Sequence, residues 1–415
     1  MNENKPFSAV ATVPGSEKYE NCIQRDGQLR KKKNFDSRTE FERDYTRILH
    51  CLAYRRLKHK TQVFFNIGND HICTRMEHVG HVESVSTTIA KALGLNIELT
   101  RAMAIGHDLG HAPFGHEGEK ILNRLSVKYL GTEFFHERNG LHFVDDIELL
   151  EDEYRVSNNL YLTYGVRDGI ISHCGEVDDN SLRPRDEYID LTREFVKPGQ
   201  YSPYTWEGCC VKLADKIAYV GRDVEDAIRL HFLNDDDITR LNEIAGGYGG
   251  NNVVNTTSVI NNIIYDVTAN SSPDTGLCLS PDSSRMLNEI KNFNLEYIYR
   301  NPLLTPFTAY ADLVLNQLFD LLLSFYDTEA TIYRIKKAEL HYPALAGDFS
   351  EWLLKYCDSN TCLNFSCSSR TEVLNNKKIY GGLETKELYV SAILDFLSGM
   401  SDNYAIRLFN ELITY

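Results

Sequence analysis

Apolar residues recur at helical spacing along almost the whole chain. In "RTEFERDYTRILHCLAYRRL" (38–57) they fall at 41, 45, 48, 49, 52, 53 and 57, which predicts one helix with Ser37 as its cap. "EHVGHVESVSTTIAKALGL" (77–95) repeats the pattern and meets its stop at Gly94. "IELTRAMAIGHDLG" (97–110) reads as a helix ending in glycine, and the Pro113 and Gly115 that follow force a loop. "HEGEKILNRLSVKYL" (116–130) restarts the helical period. The longest amphipathic stretch is 206–230, with a buried stripe at 211, 213, 217, 220, 224, 227 and 228.

Strand-like alternation is scarce. "TQVFFNIGNDHICTR" (61–75) is compatible with a short hairpin around Gly68-Asn69-Asp70. Segment 234–290 is looser, and its "GGYGGNNVVNTTSVINN" reads as a loop or insertion. From 287 the helical period returns, breaks at Pro302, and closes the chain through "ELYVSAILDFLSGMSDNYAIRLFNELI". No repeat of fixed period is present. The expected fold class is therefore all-α.

Composition narrows the function classes. Of 415 residues, 42% are hydrophobic, ordinary for a chain that buries a core. The net charge of −15 argues against loose nucleic-acid binding, which needs a basic footprint, but leaves room for a small anion held by a few local cations. The N-terminus is polar, so no secretory signal is expected, and no apolar run is long enough for a membrane span. The ten cysteines form no CxxC pair; Cys209 and Cys210 are adjacent, and Cys357, Cys362 and Cys367 are five apart. Reduced thiols and a cytoplasmic location are the expectation.

One stretch changes the picture. "AIGHDLGHAPFGHEGE" (104–119) holds three of the chain's 13 histidines, one joined directly to an aspartate. A solvated loop has no physical reason to concentrate imidazoles; a metal site has. His107 and Asp108 point about 100° apart if helical, so both reach one ion only at a helix end. Further ligands must come from elsewhere, and His78 and Asp215, on other predicted helices, supply a candidate set of two histidines and two aspartates. Imidazole and carboxylate together suit Mn, Fe, Co, Zn or Mg, with Mg the least suited to histidine.

With these residues in view, the chain resembles the HD-domain phosphohydrolases, and specifically the dNTP triphosphohydrolase (dGTPase) family. The matching blocks are "FERDYTRILHCLAYRRLKHKTQVF" (41–64), "RMEH" (75–78), "GHDLGHAPFGHEGE" (106–119), "FFHERNG" (134–140), "KLADKIAYVGRDVEDAI" (212–228) and "GMSDNYAIRLF" (399–409), in that family's order. The resemblance implies an all-α HD fold with additional C-terminal helices, organised as an N-terminal arm (1–36), an HD catalytic core (37–232) and a helical C-terminal region (233–415) that completes the substrate pocket and oligomer contacts. It implies hydrolysis of a dNTP at the α-phosphorus to deoxynucleoside and inorganic triphosphate, with a divalent ion (Mn, Mg, Fe or Co) on His78, His107, Asp108 and Asp215. It further implies His116 as the general acid and Glu119 as its orienting partner, with His111, His136 and Glu137 lining the same pocket. Arg75 corresponds to a phosphate clamp, Lys216 and Tyr219 to contacts with the outer phosphates, and Gln62, Asp223 and Tyr299 to sugar contacts. A homo-oligomer with a dNTP activator at subunit interfaces is implied as well.

The chemistry suits those roles. A triphosphate entering an acidic protein needs locally placed Arg and Lys, and Arg offers phosphate a two-pronged fork. A deoxynucleoside alkoxide leaves poorly, so an acid beside it contributes on the order of 10²–10⁴ in rate. One departure is "EHVGHVESV", which adds His81 where relatives commonly read "THSLEV". "RRLKHK" (55–60) is either a solvated basic face or a phosphate-binding one. Two other readings compete: an HD phosphohydrolase acting on a nucleoside monophosphate or cyclic nucleotide, and a nucleotide-sensing or single-stranded nucleic-acid-binding protein.

Overall fold

A computed structural model describes residues 5–27, 36–64, 69, 71–174, 180–246, 256–358 and 373–413. Among these, seventeen α-helices accompany one three-stranded sheet, the all-α class with additional helices expected from the sequence. They are α1 (Tyr19–Cys22), α2 (Glu40–His50), α3 (Leu52–Arg56), α4 (Arg75–Leu93), α5 (Ile97–Gly106), α6 (Gly115–Leu130), α7 (His136–His142), α8 (Tyr164–Ser172), α9 (Trp206–Arg229), α10 (Asp235–Gly246), α11 (Thr256–Asn270), α12 (Pro281–Phe293), α13 (Thr305–Ser324), α14 (Thr331–Ala338), α15 (Pro343–Tyr356), α16 (Lys386–Ser398) and α17 (Asp402–Ile413). The chain divides into two compact units that interleave in sequence.

The first unit comprises Met1–Leu49, Gly68–Asp108 and Tyr161–Pro306. Its centre is α4, α5, α8 and α9 packed against one another. α4 starts in a capping box, Thr74 and Glu77 each bonding the other's backbone, and stops at Gly94, whose φ of 88° suits glycine. α9 starts at Thr205, whose side chain accepts the Gly208 amide. The buried Glu207 then accepts the Thr12 and Asn96 amides at 3.0 and 2.9 Å and the Thr12 hydroxyl at 2.8 Å, so one carboxylate joins three segments. Cys209 and Cys210 are buried here and reduced, and burial pushes both thiols up.

The second unit comprises His50–Ile67, Leu109–Leu160 and Phe307–Tyr415. Here α6 packs on α16, and α15 packs on α14, α16 and α17. A small sheet lies in this unit. β1 (Leu149–Glu151) pairs antiparallel with β2 (Val156–Asn159), Leu149 opposite Asn159, and β3 (Val373–Asn375) joins β2 in parallel, Val373 opposite Val156.

Several sequence expectations need correction. The single helix over 38–57 breaks at Cys51, whose ψ of 156° ends the helical run and whose Sγ accepts the Tyr54 amide to start α3. The Leu52 amide, freed by the break, is taken by Glu148 at 2.7 Å. The start of α2 is capped by Thr39 rather than Ser37: Thr39 Oγ1 accepts the Glu42 amide at 3.2 Å and Glu42 returns the bond at 2.8 Å. Segment 234–290 is mostly α10, α11 and α12, because Ile263, Val267, Leu287 and Ile290 are buried and packing overrides the weak propensity of its Asn and Thr. Residues 247–255, at the Gly/Asn-rich centre of that segment, lie outside the described residues, as do Gly68 and Asp70 of the expected hairpin turn, Cys362 and Cys367. No strand occurs among the described residues of 61–75. No described helix is long and apolar enough to cross a membrane.

Candidate functional site

In the first unit, His107 and Asp108 follow α5 directly. His107 caps the helix with φ −60° and ψ −38°, and its Nδ1 donates to the Ala104 carbonyl at 2.6 Å. That bond fixes the tautomer and leaves the Nε2 lone pair facing away from the helix. Nε2 is fully buried and has no hydrogen-bond partner among the described residues. It lies 3.7 Å from Asp108 Oδ1 and 3.8 Å from Asp215 Oδ1, too far to bond either. His78 comes from α4, and its Nε2 stands 3.0 Å from Asp215 Oδ1. The donor atoms of His78, His107 and Asp108 all lie within 4.8 Å of one another.

This is a donor set that fits a divalent ion. A buried imidazole nitrogen left without a bond is costly unless something binds it. Two imidazoles and two carboxylates are the mixture that borderline ions accept. Burial alone would raise the Asp215 carboxyl, but the bond from His78 and the histidines around it hold it down at about 2.

The sequence reading missed His173. It stands just past α8, as His107 stands past α5, and uses the same device: Nδ1 to the Ile170 carbonyl at 2.7 Å. Its ring centroid lies 5.0 Å from that of His107, and the donor atoms of His107, His173 and Asp215 lie within 4.8 Å of one another. The local signal is a histidine and a cysteine directly after an apolar helix, "GIISHC", and it lies in none of the blocks that carry the family resemblance.

Arg75, at the first turn of α4, is buried and donates Nη1 to Asp108 Oδ2 at 2.8 Å. Its Nε and Nη2 have no hydrogen-bond partner among the described residues, so the donors that a phosphate would take are intact. On α9, Lys216 donates to Asn288 Oδ1 at 3.3 Å, and Tyr219 is half-buried one turn on. Asp223 accepts the Tyr299 hydroxyl at 2.5 Å, so those two expected sugar contacts meet. Burial and the Asp223 charge push the Tyr299 phenol well up, which keeps it protonated as a donor. His81 is accounted for separately: Arg222 Nη2 donates to its Nε2 at 2.6 Å, and burial with that guanidinium lowers its pKa.

In the second unit, His111, His116, Glu119 and His136 form one cluster. The His111 and His136 rings lie 3.8 Å apart and tilted by 30°. Glu119 Oε1 accepts both the backbone amide of His136, at 2.9 Å, and its Nδ1, at 3.1 Å. Glu119 Oε2 stands 3.5 Å from His116 Nδ1. The carboxylate is thus closer to His136 than to His116, the partner the sequence reading gave it. Burial would raise the Glu119 carboxyl, but the His136 charge and the bonds from His116 and His136 hold it well below the usual range. Glu137 is buried, its Oε2 3.5 Å from His136 Nδ1. His116 is the exposed member, with 67% of its side-chain surface accessible. Gln62 is half-buried, and its Oε1 has no hydrogen-bond partner among the described residues.

A model of the HD domain matches residues 75–220. A deoxyguanosinetriphosphate triphosphohydrolase-like protein of Rickettsia felis is 30% identical over 409 residues, covering 93% of this chain and 94% of its own. The chain belongs to the deoxyguanosinetriphosphate triphosphohydrolase-like family of HD-domain proteins. Another member, from Caldanaerobacter subterraneus subsp. tengcongensis, is 36% identical over 274 residues, 66% of this chain and 69% of its own. One from Clostridium tetani is 29% identical over 404 residues, 97% and 93% respectively. Membership makes the chain an HD-domain hydrolase by family. The stretch matched as the HD domain contains His78, His107, Asp108, His173 and Asp215, and the family likeness to the Rickettsia felis member extends through nearly all of the rest.

Proposed function

We propose that the protein is a metal-dependent dNTP triphosphohydrolase, releasing deoxynucleoside and inorganic triphosphate. The observation that carries the reading is the buried, unbonded Nε2 of His107 set among His78, Asp108 and Asp215. The names its relatives carry support the substrate class.

In this reading His78, His107, Asp108 and Asp215 hold a divalent ion, which when bound supplies Lewis-acid polarisation of a phosphoryl oxygen and acidifies water. Mn, Fe and Co suit the donor set best, with Mg a weaker match. Arg75 orients Asp108 through Nη1 and offers its remaining donors to the phosphates. Lys216 and Tyr219 meet the outer phosphates. Gln62, Asp223 and Tyr299 contact the sugar, the Asp223–Tyr299 bond fixing that pair before substrate arrives. His116 gives its proton to the departing 5′ oxygen. Glu119, anchored on His136, keeps the imidazole turned for that transfer, and His111 and Glu137 complete the surroundings of that cluster.

The test is a product assay. Purified protein with Mn²⁺ is given each dNTP singly and then all together, and the products are resolved by anion exchange. Triphosphate with deoxynucleoside is the expected result, and reaction only in the mixture reveals a dNTP activator. Monophosphate or free phosphate moves the protein to another hydrolytic branch of the superfamily. No product under any condition overturns the reading in favour of a nucleotide-binding role.

A further inference from the structure

The loop that carries His111 and leads into His116 is held from below by two buried charged side chains that the assigned roles do not use. Lys60 is 2% exposed, and its ammonium donates to the His111 carbonyl and, at 3.0 Å, to the Ser398 carbonyl. Asp402 is 3% exposed. Its Oδ1 accepts the Phe114 amide at 2.9 Å, and its Oδ2 accepts the Thr61 amide at 3.1 Å and the Thr61 hydroxyl at 2.7 Å. Thr61 follows Lys60 in the chain, and Ser398 and Asp402 flank the turn between α16 and α17. The two supports are therefore tied to each other as well as to the loop.

Charges are buried where nothing else does the work, because taking them out of water is costly. A core needing only volume would use Met and Leu at these positions. The loop explains the choice. Phe114 sits at φ 64°, ψ 23°, a left-handed conformation that a residue with a Cβ rarely adopts. It is also the residue from which α6 starts, two before His116. Strain of this kind persists only where surrounding contacts fix it. Asp402 holds the Phe114 amide, and Lys60 holds the carbonyl three residues earlier. The path between is tight: a Cβ on Gly118 would come 1.8 Å from the Pro113 carbonyl oxygen.

We propose that Lys60 and Asp402 are positioning residues that fix the His111–Phe114 backbone and so set the direction of His116. This rests on the reading of His116 as the proton donor given above. Neither residue is placed against substrate. Their effect is on the aim of the imidazole, and misplacement of a reacting group by about 1 Å is enough to cost about 10²-fold.

The experiment compares Lys60→Met, Lys60→Arg and Asp402→Asn with the wild type, using full-length protein loaded with Mn²⁺. Two substrates are used: a natural dNTP, and its analogue with sulfur in place of the bridging 5′ oxygen, whose thiolate leaves without protonation. Lys60→Met and Asp402→Asn are expected to lower kcat on the dNTP about 10–100-fold with KM within about threefold, and to leave the sulfur analogue within about threefold of wild type. Lys60→Arg recovers part of the loss. Amide exchange over 110–118 is expected to quicken in both damaging variants while Mn²⁺ content holds. Equal losses on both substrates, or an unchanged dNTP rate, overturn the proposal. Should Lys60→Met not fold, Asp402→Asn, which keeps the volume but has a single acceptor oxygen and so cannot hold both the Phe114 and the Thr61 amides, carries the same comparison. If the wild type releases no triphosphate, the functional reading fails by itself. The exchange measurement then still decides whether the loop is held by these two residues: unchanged exchange rejects it.

Discussion

Arg75 donates Nη1 to Asp108 Oδ2 at 2.8 Å, so the guanidinium proposed to meet phosphate also orients a candidate metal ligand. Its two roles separate under substitution. Arg75→Ala is expected to raise KM for the substrate about 10–100-fold, the worth of about 1.5–3 kcal/mol for bonds to a charged group, and to lower Mn²⁺ affinity by a smaller factor. Arg75→Lys keeps the charge but not the fork, and recovers only part of KM. Steady-state kinetics with a parallel Mn²⁺ titration reads both. An unchanged KM in Arg75→Ala makes the residue purely structural.

The donor set around His107 predicts a direct metal result. Protein treated with a chelator should lose activity and regain it with Mn²⁺ or Co²⁺. His107→Ala and Asp215→Asn should retain only background metal after gel filtration, measured by elemental analysis. His173→Ala should retain it with affinity lowered about 10–100-fold, the usual cost of disturbing a group beside the ligands. Full metal content in His107→Ala sinks the assignment.

Gly118 predicts a stability effect where no ligand is involved. A methyl group there would meet the Pro113 carbonyl oxygen at 1.8 Å, backbone that cannot step aside cheaply. Gly118→Ala is expected to destabilise the protein by about 1–3 kcal/mol, as overpacking does. Urea unfolding measures it, and a midpoint equal to the wild type's would show that the α6 entrance is less constrained than its geometry implies.

His142 predicts a pH dependence of stability. Its Nδ1 and Nε2 face Asp146 and Asp395 at 2.9 and 3.0 Å, so both nitrogens must carry protons. Burial opposes the charge, but Asp395 and the bonds to both carboxylates outweigh it and raise the group from 6.5 to about 10. The folded state therefore binds this proton more tightly than the unfolded chain. The resulting stability is fully present below pH 6.5 and is lost as pH rises towards about 10. Asp146, which the bond from His142 holds at about 2 against burial, contributes in the opposite direction: its share is present above 3.8 and is lost on acidification towards about 2. Melting temperatures across pH 6.5–10 should fall in the wild type and fall less in His142→Gln. Equal slopes in the two proteins would remove His142 from the account.

Much of this molecule was legible in its sequence. Local physics settled α4 and α9, because their boundaries are set within a few residues: Thr74 with Glu77 at one end of α4 and Gly94 at the other, Thr205 before α9. The ligand candidates were legible too, since imidazoles and carboxylates at 78, 107, 108 and 215 recur in blocks of recognisable order. The family comparison then agreed with that resemblance.

Tertiary structure alone decided the rest. The break at Cys51 depends on Glu148 accepting the Leu52 amide, a partner 96 residues away. β3 exists because β2 offers it an edge, not because "VLN" alternates. His173 joins His107 only because α5 and α8 pack together. Lys60 and Asp402 are unremarkable in a helical wheel, yet Thr61 meets Asp402 across 341 residues of chain. Periodicity reports which face of an element is apolar. It carries no information on which distant polar group will satisfy a buried amide, and here such a bond, from the Phe114 amide to Asp402, holds the backbone that leads into His116.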